Sequence, residues 1–211
     1  MIRDSILSLT VALFTFDQSG AQMFKSSGIK LGVTSANQTF DYSSINTIDT
    51  KRKIGFNIAF FAEWLDIAYF SVISQIEYAQ RGMATDFNYT TNDPTVIEKV
   101  RNYNRTDYLS MPLLAKLTIL RGSINPYVCV GPRIDILLGY KSDDGIFNAV
   151  YDNFKKTSLG GSGSVGVEII DILAIKLILE ARYNLDFTDS YAAYTLRVRN
   201  NSFDLWLGAA L

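Results

Sequence analysis

The fold of this 211-residue chain is decided by the stretch from Tyr108 to Gly131, which reads YLSMPLLAKLTILRGSINPYVCVG. Apolar and small or polar side chains alternate on both sides of a short break at Arg121–Asn125. A period of two places successive side chains on opposite faces of a β-strand. The apolar face comprises Leu109, Met111, Leu113, Ala115, Leu117 and Ile119, then Val128, Val130, Pro132, Ile134, Ile136 and Leu138. Each strand runs for about 12 residues, roughly twice the usual length, which is typical of a barrel wall.

The same stretch also carries a recognisable order of motifs. Residues Tyr108–Lys116 read Tyr-Leu-Ser-Met-Pro-Leu-Leu-Ala-Lys, and Pro126–Pro132 read Pro-Tyr-Val-Cys-Val-Gly-Pro. Together with Ile76–Gly82, Gly163–Glu168 and Arg182-Tyr183, this order resembles the PorT-like outer-membrane β-barrel proteins of Bacteroidetes-type bacteria. Ser110 stands where that family has Glu, and the sequence ends at Leu211 where the family has an aromatic residue. The resemblance implies an outer-membrane barrel without enzymatic activity, and it allows a part in a type IX secretion assembly.

Composition excludes several other classes of protein. Twenty Lys and Arg against 21 Asp and Glu leave a net charge of −1, so no basic surplus supports nucleic-acid binding. Beyond the N-terminus no apolar run is long enough for a membrane-spanning helix, so a chain that crosses lipid must form a closed barrel. The absence of histidine removes the commonest general base and metal ligand, and we expect no enzyme, cofactor or metal. The single cysteine, Cys129, is expected to be a small buried side chain.

Residues 1–21 have the features of a secretory signal peptide. Arg3 supplies positive charge, Ile6–Phe16 form an apolar core, and Ser19-Gly20-Ala21 resembles a small-x-small cleavage site. A first barrel strand or a buried helix is the alternative interpretation of this segment. We expect a signal peptide at 1–21 and one outer-membrane barrel domain at 22–211.

Further alternating segments complete an eight-stranded, antiparallel, up-and-down transmembrane β-barrel. In addition to the two strands of the opening stretch, strands are predicted at Gly28–Ala36, Lys53–Glu63, Tyr69–Met83, Ser158–Ile169, Ile172–Phe187 and Asn201–Leu211. Long polar loops, among them Ala84–Asn104 and Gly139–Thr157, alternate with short turns, as in bacterial outer-membrane barrels. In the first of these loops, Val96–Arg101 is compatible with a helical turn or with a strand that continues above the membrane.

Charged residues concentrate on the minority face of these strands. They are Glu77, Arg81, Lys116, Arg133, Asp135, Glu168, Glu180 and Arg182. An eight-stranded barrel has an interior just wide enough for side chains, and buried charges must be paired. We therefore expect a structural network of ion pairs inside a lipid-facing apolar wall, rather than an acid–base catalytic site. A soluble ligand-binding barrel of the lipocalin type, with the apolar face inward, is the alternative.

Two other patterns invite functional interpretation. Gly161–Gly166 matches the G-x-G-x-x-G dinucleotide fingerprint, but the segment continues as a strand instead of opening a helix, so nucleotide binding is not expected. Aromatic residues suggest interfacial girdles, formed by Trp64, Tyr69 and Phe70 at the short-turn end and by Tyr78, Tyr108 and Tyr140 at the loop end. The loop aromatics, including Phe147, Tyr151 and Phe154, serve either as adhesive contacts or to pack the loops together.

The predicted location is the outer membrane of a Gram-negative bacterium, in contact with its lipid. The first functional hypothesis is a non-enzymatic envelope component that binds a macromolecular partner, such as a secretion protein, through its loops or rim. A small passive pore and a lipocalin-like ligand-binding barrel are the other two. No nucleotide or nucleic acid is expected as a partner.

Overall fold

A single antiparallel sheet that closes on itself makes up nearly the whole molecule. The computed structural model describes residues 23–42, 50–90, 97–143, 145, 147–172, 175–193 and 196–211. The elements in chain order are β1 Phe24–Tyr42, β2 Thr50–Ile67, β3 Phe70–Thr90, β4 Ile97–Thr118, β5 Ile124–Ser142, α1 Asn148–Tyr151, β6 Thr157–Ile172, β7 Ile175–Asp186, β8 Tyr191–Ala193 and β9 Leu196–Ala210. The predicted signal peptide, residues 1–21, lies outside the described residues.

The sheet closes because β1 pairs with β9 along its length, from Gly28 opposite Ala210 to Tyr42 opposite Leu196. Strands β1 to β7 follow one another as neighbours, and β9 lies between β7 and β1. The three-residue β8 also pairs with β9, so it extends the wall formed by β7 beyond a short irregular segment. Because β7 and β8 occupy one position in the ring, the barrel has eight antiparallel strand positions, and the predicted eight-stranded barrel is confirmed.

Side chains alternate between the two faces of the wall as the sequence predicts, and the apolar face points outward. On β4, Leu113 and Leu117 are 52% and 51% exposed, whereas Ser110 and Lys116 are 0% and 1% exposed. The same holds on β5, where Val130 is 67% exposed. A soluble ligand-binding barrel requires the opposite arrangement, with apolar residues inside and charges in water. In the part of the chain that the structure describes, no helix is both long and apolar enough to cross a membrane.

The strands are longer than predicted, chiefly at the loop end. Most of the predicted loop Ala84–Asn104 belongs to β3 and β4, which pair as far as Thr90 opposite Ile97. The predicted loop Gly139–Thr157 likewise begins with the last residues of β5 and contains α1. Polar composition indicated loops here. The hairpin of β3 and β4 nevertheless forms, because a hairpin in water needs no apolar face. Across it, Asp86 accepts a hydrogen bond from Arg101 at 2.7 Å.

Two strand boundaries near the C-terminal part of the chain were wrong. Ile172 ends β6 instead of starting the next strand, and β7 begins at Ile175. The last strand begins at Leu196, five residues before the predicted Asn201, because its polar first part pairs with the outer part of β1.

One glycine allows an irregularity in the wall. Gly82 has φ +129°, which L side chains rarely adopt, and an added Cβ would lie 2.0 Å from the carbonyl oxygen of Asn104. Nearby, the pairing of β2 with β3 shifts register between Arg52 and Asn57. The glycine thus permits close approach of β3 and β4 where the β2–β3 ladder is interrupted.

Candidate functional site

The barrel interior contains all eight charged residues that the sequence analysis placed on the minority face. Each of them is 5% exposed or less: Glu77, Arg81, Lys116, Arg133, Asp135, Glu168, Glu180 and Arg182. They come from five different strands and project into one space, where they form three clusters. The outer cluster lies toward the loop end, the inner cluster toward the short-turn end, and the middle cluster between them.

The outer cluster is centred on Asp135. Its carboxylate accepts hydrogen bonds from Arg81 Nη1 at 2.6 Å, from Arg133 Nε at 2.8 Å and from Ser110 Oγ at 2.5 Å. Arg133 extends the cluster by donating from Nη2 to Asp186 Oδ1 at 2.5 Å. Two buried carboxylates therefore neutralise two buried guanidinium groups, and the Ser110 hydroxyl donates a further hydrogen bond to Asp135.

The middle cluster joins β1, β3, β5 and β7 through Glu180. This carboxylate accepts hydrogen bonds from Lys30 Nζ at 2.5 Å, Arg182 Nε at 2.8 Å and the Tyr127 hydroxyl at 3.0 Å. Arg182 also donates from Nη1 to Glu77 Oε2 at 3.1 Å. The side chains that meet here come from opposite walls, so they bridge the lumen.

The inner cluster is held by Lys116. Its ammonium group donates to Glu63 Oε1 at 3.0 Å and also bonds to Glu168. Glu63 receives further hydrogen bonds from Ser71 Oγ at 2.6 Å and from Lys25 Nζ at 3.1 Å. This cluster links β1, β2, β3, β4 and β6 near the short-turn end.

Three members of these clusters lie outside the predicted network of ion pairs, although strand parity predicts that two of them, Glu63 and Asp186, face inward. Lys30, Glu63 and Asp186 are each 2% exposed or less and take part in them. The alternation could have found Lys30, because it lies between Ile29 and Leu31 on a strand whose odd residues face outward. Which charge pairs with which could not be read from the alternation, because it depends on the register of strands far apart in sequence.

The glycine-rich segment of β6 provides space for this network. An added Cβ at Gly166 would lie 2.4 Å from Tyr127 Cζ, and one at Gly160 would lie 2.9 Å from Arg133 Nη2. The small residues thus let Tyr127 and Arg133 reach their carboxylate partners. Strand β6 continues to Ile172 without a following helix, so the segment lacks the helix N-terminus that a dinucleotide site uses.

An aromatic cap covers the interior at the loop end. The connection between β5 and β6 carries α1 and contributes Phe147, Tyr151 and Phe154, which are 7% exposed or less. Phe147 packs against Phe40 of β1 with ring centroids 5.6 Å apart, and Tyr151 packs against Phe154 at 4.8 Å. Of the two interpretations of the loop aromatics, these three residues have the packing role.

The cap is tied to the polar interior below it. The Tyr151 hydroxyl donates to Gln38 Oε1 at 2.7 Å, and Gln38 Nε2 donates to Asn200 Oδ1 at 2.9 Å. Tyr140 stacks on Tyr151 with centroids 5.3 Å apart. The apolar cap and the polar network below it are therefore in direct contact, and together they fill the outer half of the barrel.

The predicted aromatic girdle is correct at the short-turn end and wrong for two residues at the loop end. Trp64, Tyr69 and Phe70 are 39%, 51% and 39% exposed. Tyr108 is 2% exposed because its strand parity turns it inward, where Arg81 lies over its ring. Tyr140 also turns inward, because a register shift between β4 and β5 at Asp107 and Tyr108 reverses the parity of β5 beyond it.

The outer surface has an apolar band of membrane height. The outward residues of β4 from Leu109 to Leu117, and Ile119 just after the strand, are apolar, and those from Arg101 to Asp107 are polar, charged or Tyr. Ten residue steps along a strand tilted by roughly 40° give a band about 25 Å tall, as in outer-membrane barrels. The hairpin of β3 and β4 continues beyond this band, on the same side as the cap.

A barrel with an apolar exterior, a charged interior and short turns at one end has known relatives. A family model described as "Outer membrane protein beta-barrel domain" matches residues 20–192. The chain belongs to this family. The protein is accordingly located in the outer membrane, where the apolar band contacts lipid, and the predicted location is confirmed.

Solved outer-membrane proteins are similar to this chain at low sequence identity. The outer membrane protein AlkL, determined in lipid bilayers, is 12% identical, with 92% of each chain covered and a TM-score of 0.52. OprG from Pseudomonas aeruginosa is 10% identical, covering 90% of this chain and 97% of its own, with a TM-score of 0.49. Ail of Yersinia pestis is 13% identical, covering 90% of this chain and 100% of its own, with a TM-score of 0.43. A comparison with curated proteins found no match.

Proposed function

We propose that this protein is a solute-tight, non-enzymatic outer-membrane barrel that contacts another macromolecule of the cell envelope. The observation that carries the proposal is the filled interior. Three clusters of ion pairs cross the lumen, and the aromatic cap covers them at the loop end. A passive pore needs a continuous hydrated path, whereas here Arg182 of β7 bonds directly to Glu77 of β3 on the opposite side of the ring. Lys30 of β1 and Tyr127 of β5, also on opposite sides, both bond to Glu180.

The same burial argues against catalysis. The carboxylates of the outer and middle clusters accept hydrogen bonds from ammonium, guanidinium or hydroxyl groups at 2.5–3.1 Å. A general acid or base must reach the substrate within hydrogen-bond distance. Side chains that are 5% exposed or less and already paired offer no such access.

The projecting β3–β4 hairpin is the surface proposed for the contact. It stands beyond the apolar band and presents Arg101 and Tyr103, which are exposed, to the aqueous phase. Asp86 of β3 pairs with Arg101 of β4 across the hairpin and with Lys51 of the adjacent β2 at 2.9 Å. A preformed ribbon of this kind can bind a partner without a large ordering cost.

Within the family, we propose a PorT-like protein of Bacteroidetes type, with a part in secretion as the finer function. The order of the motifs around β4 and β5 supports this proposal. The departure at Ser110 also has a physical explanation, because Ser110 lies beside Arg81 and Asp135. A Glu at this position would be a carboxylate facing the same arginine, and in this chain Asp135 supplies that charge instead.

The absence of a pore can be tested by electrical recording. We expect the purified protein to show no steady conductance in a planar lipid bilayer, because the lumen is closed by bonded side chains. Faster migration on an unboiled denaturing gel serves as the control for a folded barrel. Reproducible single-channel steps from folded protein would replace the proposed function with that of a passive pore.

The contact through the hairpin can be tested by crosslinking in cells. We expect a photo-reactive amino acid at Tyr103 to give discrete high-mass products with envelope macromolecules, because this side chain is 45% exposed beyond the apolar band. The matched control places the same group at Leu113, which is on the same strand and face but points into lipid. Equal products from both positions, or none from Tyr103, would contradict the proposed contact surface.

A further inference from the structure

The projecting part of the β3–β4 hairpin has an open backbone edge on β4. The ladder between β4 and β5 ends at Asn104 opposite Ser142, although β4 itself begins at Ile97. Among the strands that the structure describes, β4 has no neighbour on this side beyond that pair, while β3 accompanies its other side as far as Thr90 opposite Ile97. An open edge presents a row of N–H and C=O groups to which another strand can bond.

The edge is open because β5 turns away from it. Gly145 has φ +70°, a left-handed conformation that favours glycine, and its carbonyl oxygen accepts a hydrogen bond from the N–H of Asn148 at 3.1 Å. Asn148 begins α1, and the connection then lies toward β1, where Phe147 packs against Phe40. Strand β4 therefore continues into the aqueous phase without the strand that accompanies it in the wall.

The last contact before β5 turns away shows which backbone groups face the edge. The N–H of Asp143 donates to the carbonyl oxygen of Tyr103 at 3.3 Å, and the Asp143 carboxylate accepts the N–H of Tyr103 at 3.2 Å. In an antiparallel strand every second residue directs its N–H and C=O to the same side. The backbone groups of Arg101, Lys99 and Ile97 therefore point to the position that β5 would occupy.

The side chains beside this edge present positive charge to a partner. Arg101 is 49% exposed and its ion-pair partner Asp86 is 10% exposed, while Arg105 is 40% exposed and its partner Asp107 is 16% exposed. Asp86 is also shared with Lys51, so two cations divide one carboxylate. Solvent-exposed ion pairs of this kind are weak, so these cations can engage a further carboxylate without giving up a strong interaction.

A second copy of this chain fits the edge poorly. If two β4 edges paired antiparallel about Lys99, Val100 or Arg101, the register would set a cationic residue of one copy opposite a cationic residue of the other. Like charges directly opposite each other destabilise a strand pair, whereas opposite charges stabilise it. An acidic residue opposite Arg101 is therefore favoured over self-association.

We propose that the β4 edge from Ile97 to Arg101 binds an extended acidic peptide segment by antiparallel strand addition. The segment continues the wall where β5 leaves it. Main-chain hydrogen bonds supply affinity, and carboxylates at alternate positions supply selectivity through Arg101. The inference rests on the contact proposed for the hairpin and specifies the chemistry of the partner.

Binding of designed peptides to the folded barrel in lipid nanodiscs tests strand addition. The probe is acetyl-Thr-Asp-Val-Asp-Val-Asp-Val amide, with a fluorophore replacing the acetyl group for anisotropy measurements. A residue directly opposite Arg101 has its N–H toward β4 and its side chain on the same face as Arg101. We therefore expect N-methylation of the three Asp residues to weaken binding by about tenfold or more, and N-methylation of the three Val residues to change it by less than about threefold.

The role of charge is tested on both partners. Replacing the three Asp residues of the peptide with Lys should weaken binding by about tenfold or more, and Arg101→Gln should weaken binding of the Asp peptide by about threefold or more. Lys155→Gln is the matched control, because Lys155 is also an exposed cation of the loop end but lies on the connection that bonds to Ser190. Gel mobility checks the folding of each variant. The methylation pair uses the unaltered protein, so it is informative even if Arg101→Gln disturbs the hairpin.

Three outcomes would overturn the proposal. The first is an equal loss from the two methylation patterns, which would mean binding by charge alone and a polyanion, such as a phosphorylated glycolipid, as the ligand class. The second is equal affinity for the Asp and Lys peptides, including no binding of either. The third is a loss with Lys155→Gln as large as that with Arg101→Gln. Crosslinking from Tyr103 in cells is read separately, so discrete products there together with equal methylation effects would keep the contact surface and remove only the strand pairing.

Discussion

Replacing Asp135 with alanine is expected to lower the free energy of unfolding by about 3–5 kcal/mol, because it removes one partner from a buried charge cluster. The hydrogen bonds that the structure describes for Arg81 go to Asp135 and Ser110, so only the neutral hydroxyl would remain. Arg133 would keep Asp186 at 2.5 Å. The cost therefore comes mainly from the guanidinium group of Arg81, which is 2% exposed and cannot turn to water.

The matched control for this variant is Asp86→Ala. Asp86 also binds two cations, Lys51 and Arg101, but these are 40% and 49% exposed. Solvent-exposed ion pairs contribute about 0–1 kcal/mol, so the control should cost far less. Urea unfolding of each variant in lipid vesicles, followed by tryptophan fluorescence, gives the comparison. Equal costs would mean that water reaches Arg81, and the interior would then have to be treated as a hydrated channel.

A second substitution separates charge from packing in the same cluster. Adding Arg81→Met to Asp135→Ala removes the charge left without its carboxylate and keeps a long apolar side chain in its place. The double variant is expected to recover part of the lost stability, because a buried ion pair and an apolar replacement are often similar in free energy. A double variant less stable than Asp135→Ala alone would show that Arg81 stabilises the barrel through other contacts.

The strand alternation was sufficient to predict the faces of the wall and the charged interior. At Leu113 and Lys116, for example, a difference in parity alone predicts which side chain faces outward and which faces inward. This works because the period of a strand is two, and one face is buried while the other meets lipid. Prediction fails where a register shift changes the parity, as it does for Tyr140 beyond Asp107 and Tyr108.

Other features depend on contacts between residues distant in sequence. The extension of β3 and β4 beyond the membrane was predicted only as one of two alternatives for Val96–Arg101, and β4 from Ile97 takes the strand alternative. The rest of the extension was predicted as a loop, because a hairpin in water needs no apolar face and its polar residues resemble a loop. The aromatic cap is a similar case. Phe147 and Tyr151 are buried only because a connection between β5 and β6 folds over Phe40 of β1, and no local pattern indicates this contact.

The lipid-facing surface is tested by Leu113→Lys. Leu113 is 52% exposed and lies near the centre of the apolar band on β4, which extends from Leu109 to Ile119. A lysine at the bilayer midplane of a barrel costs about 2–4 kcal/mol, since its charge must enter hydrocarbon or drag water and headgroups inward. We expect this loss of unfolding free energy in vesicles and a much smaller loss in detergent micelles.

The control for this substitution is Tyr103→Lys, on the same strand and the same outward face but beyond the band. It is 45% exposed, and a charge there stays in water, so the expected cost is about 0–1 kcal/mol. Ser110→Lys on the inward face is not a suitable control, because Ser110 is fully buried and a third cation would join Arg81 and Arg133. If Leu113→Lys and Tyr103→Lys cost the same in vesicles, the surface around Leu113 does not face hydrocarbon, and the apolar band has been placed wrongly.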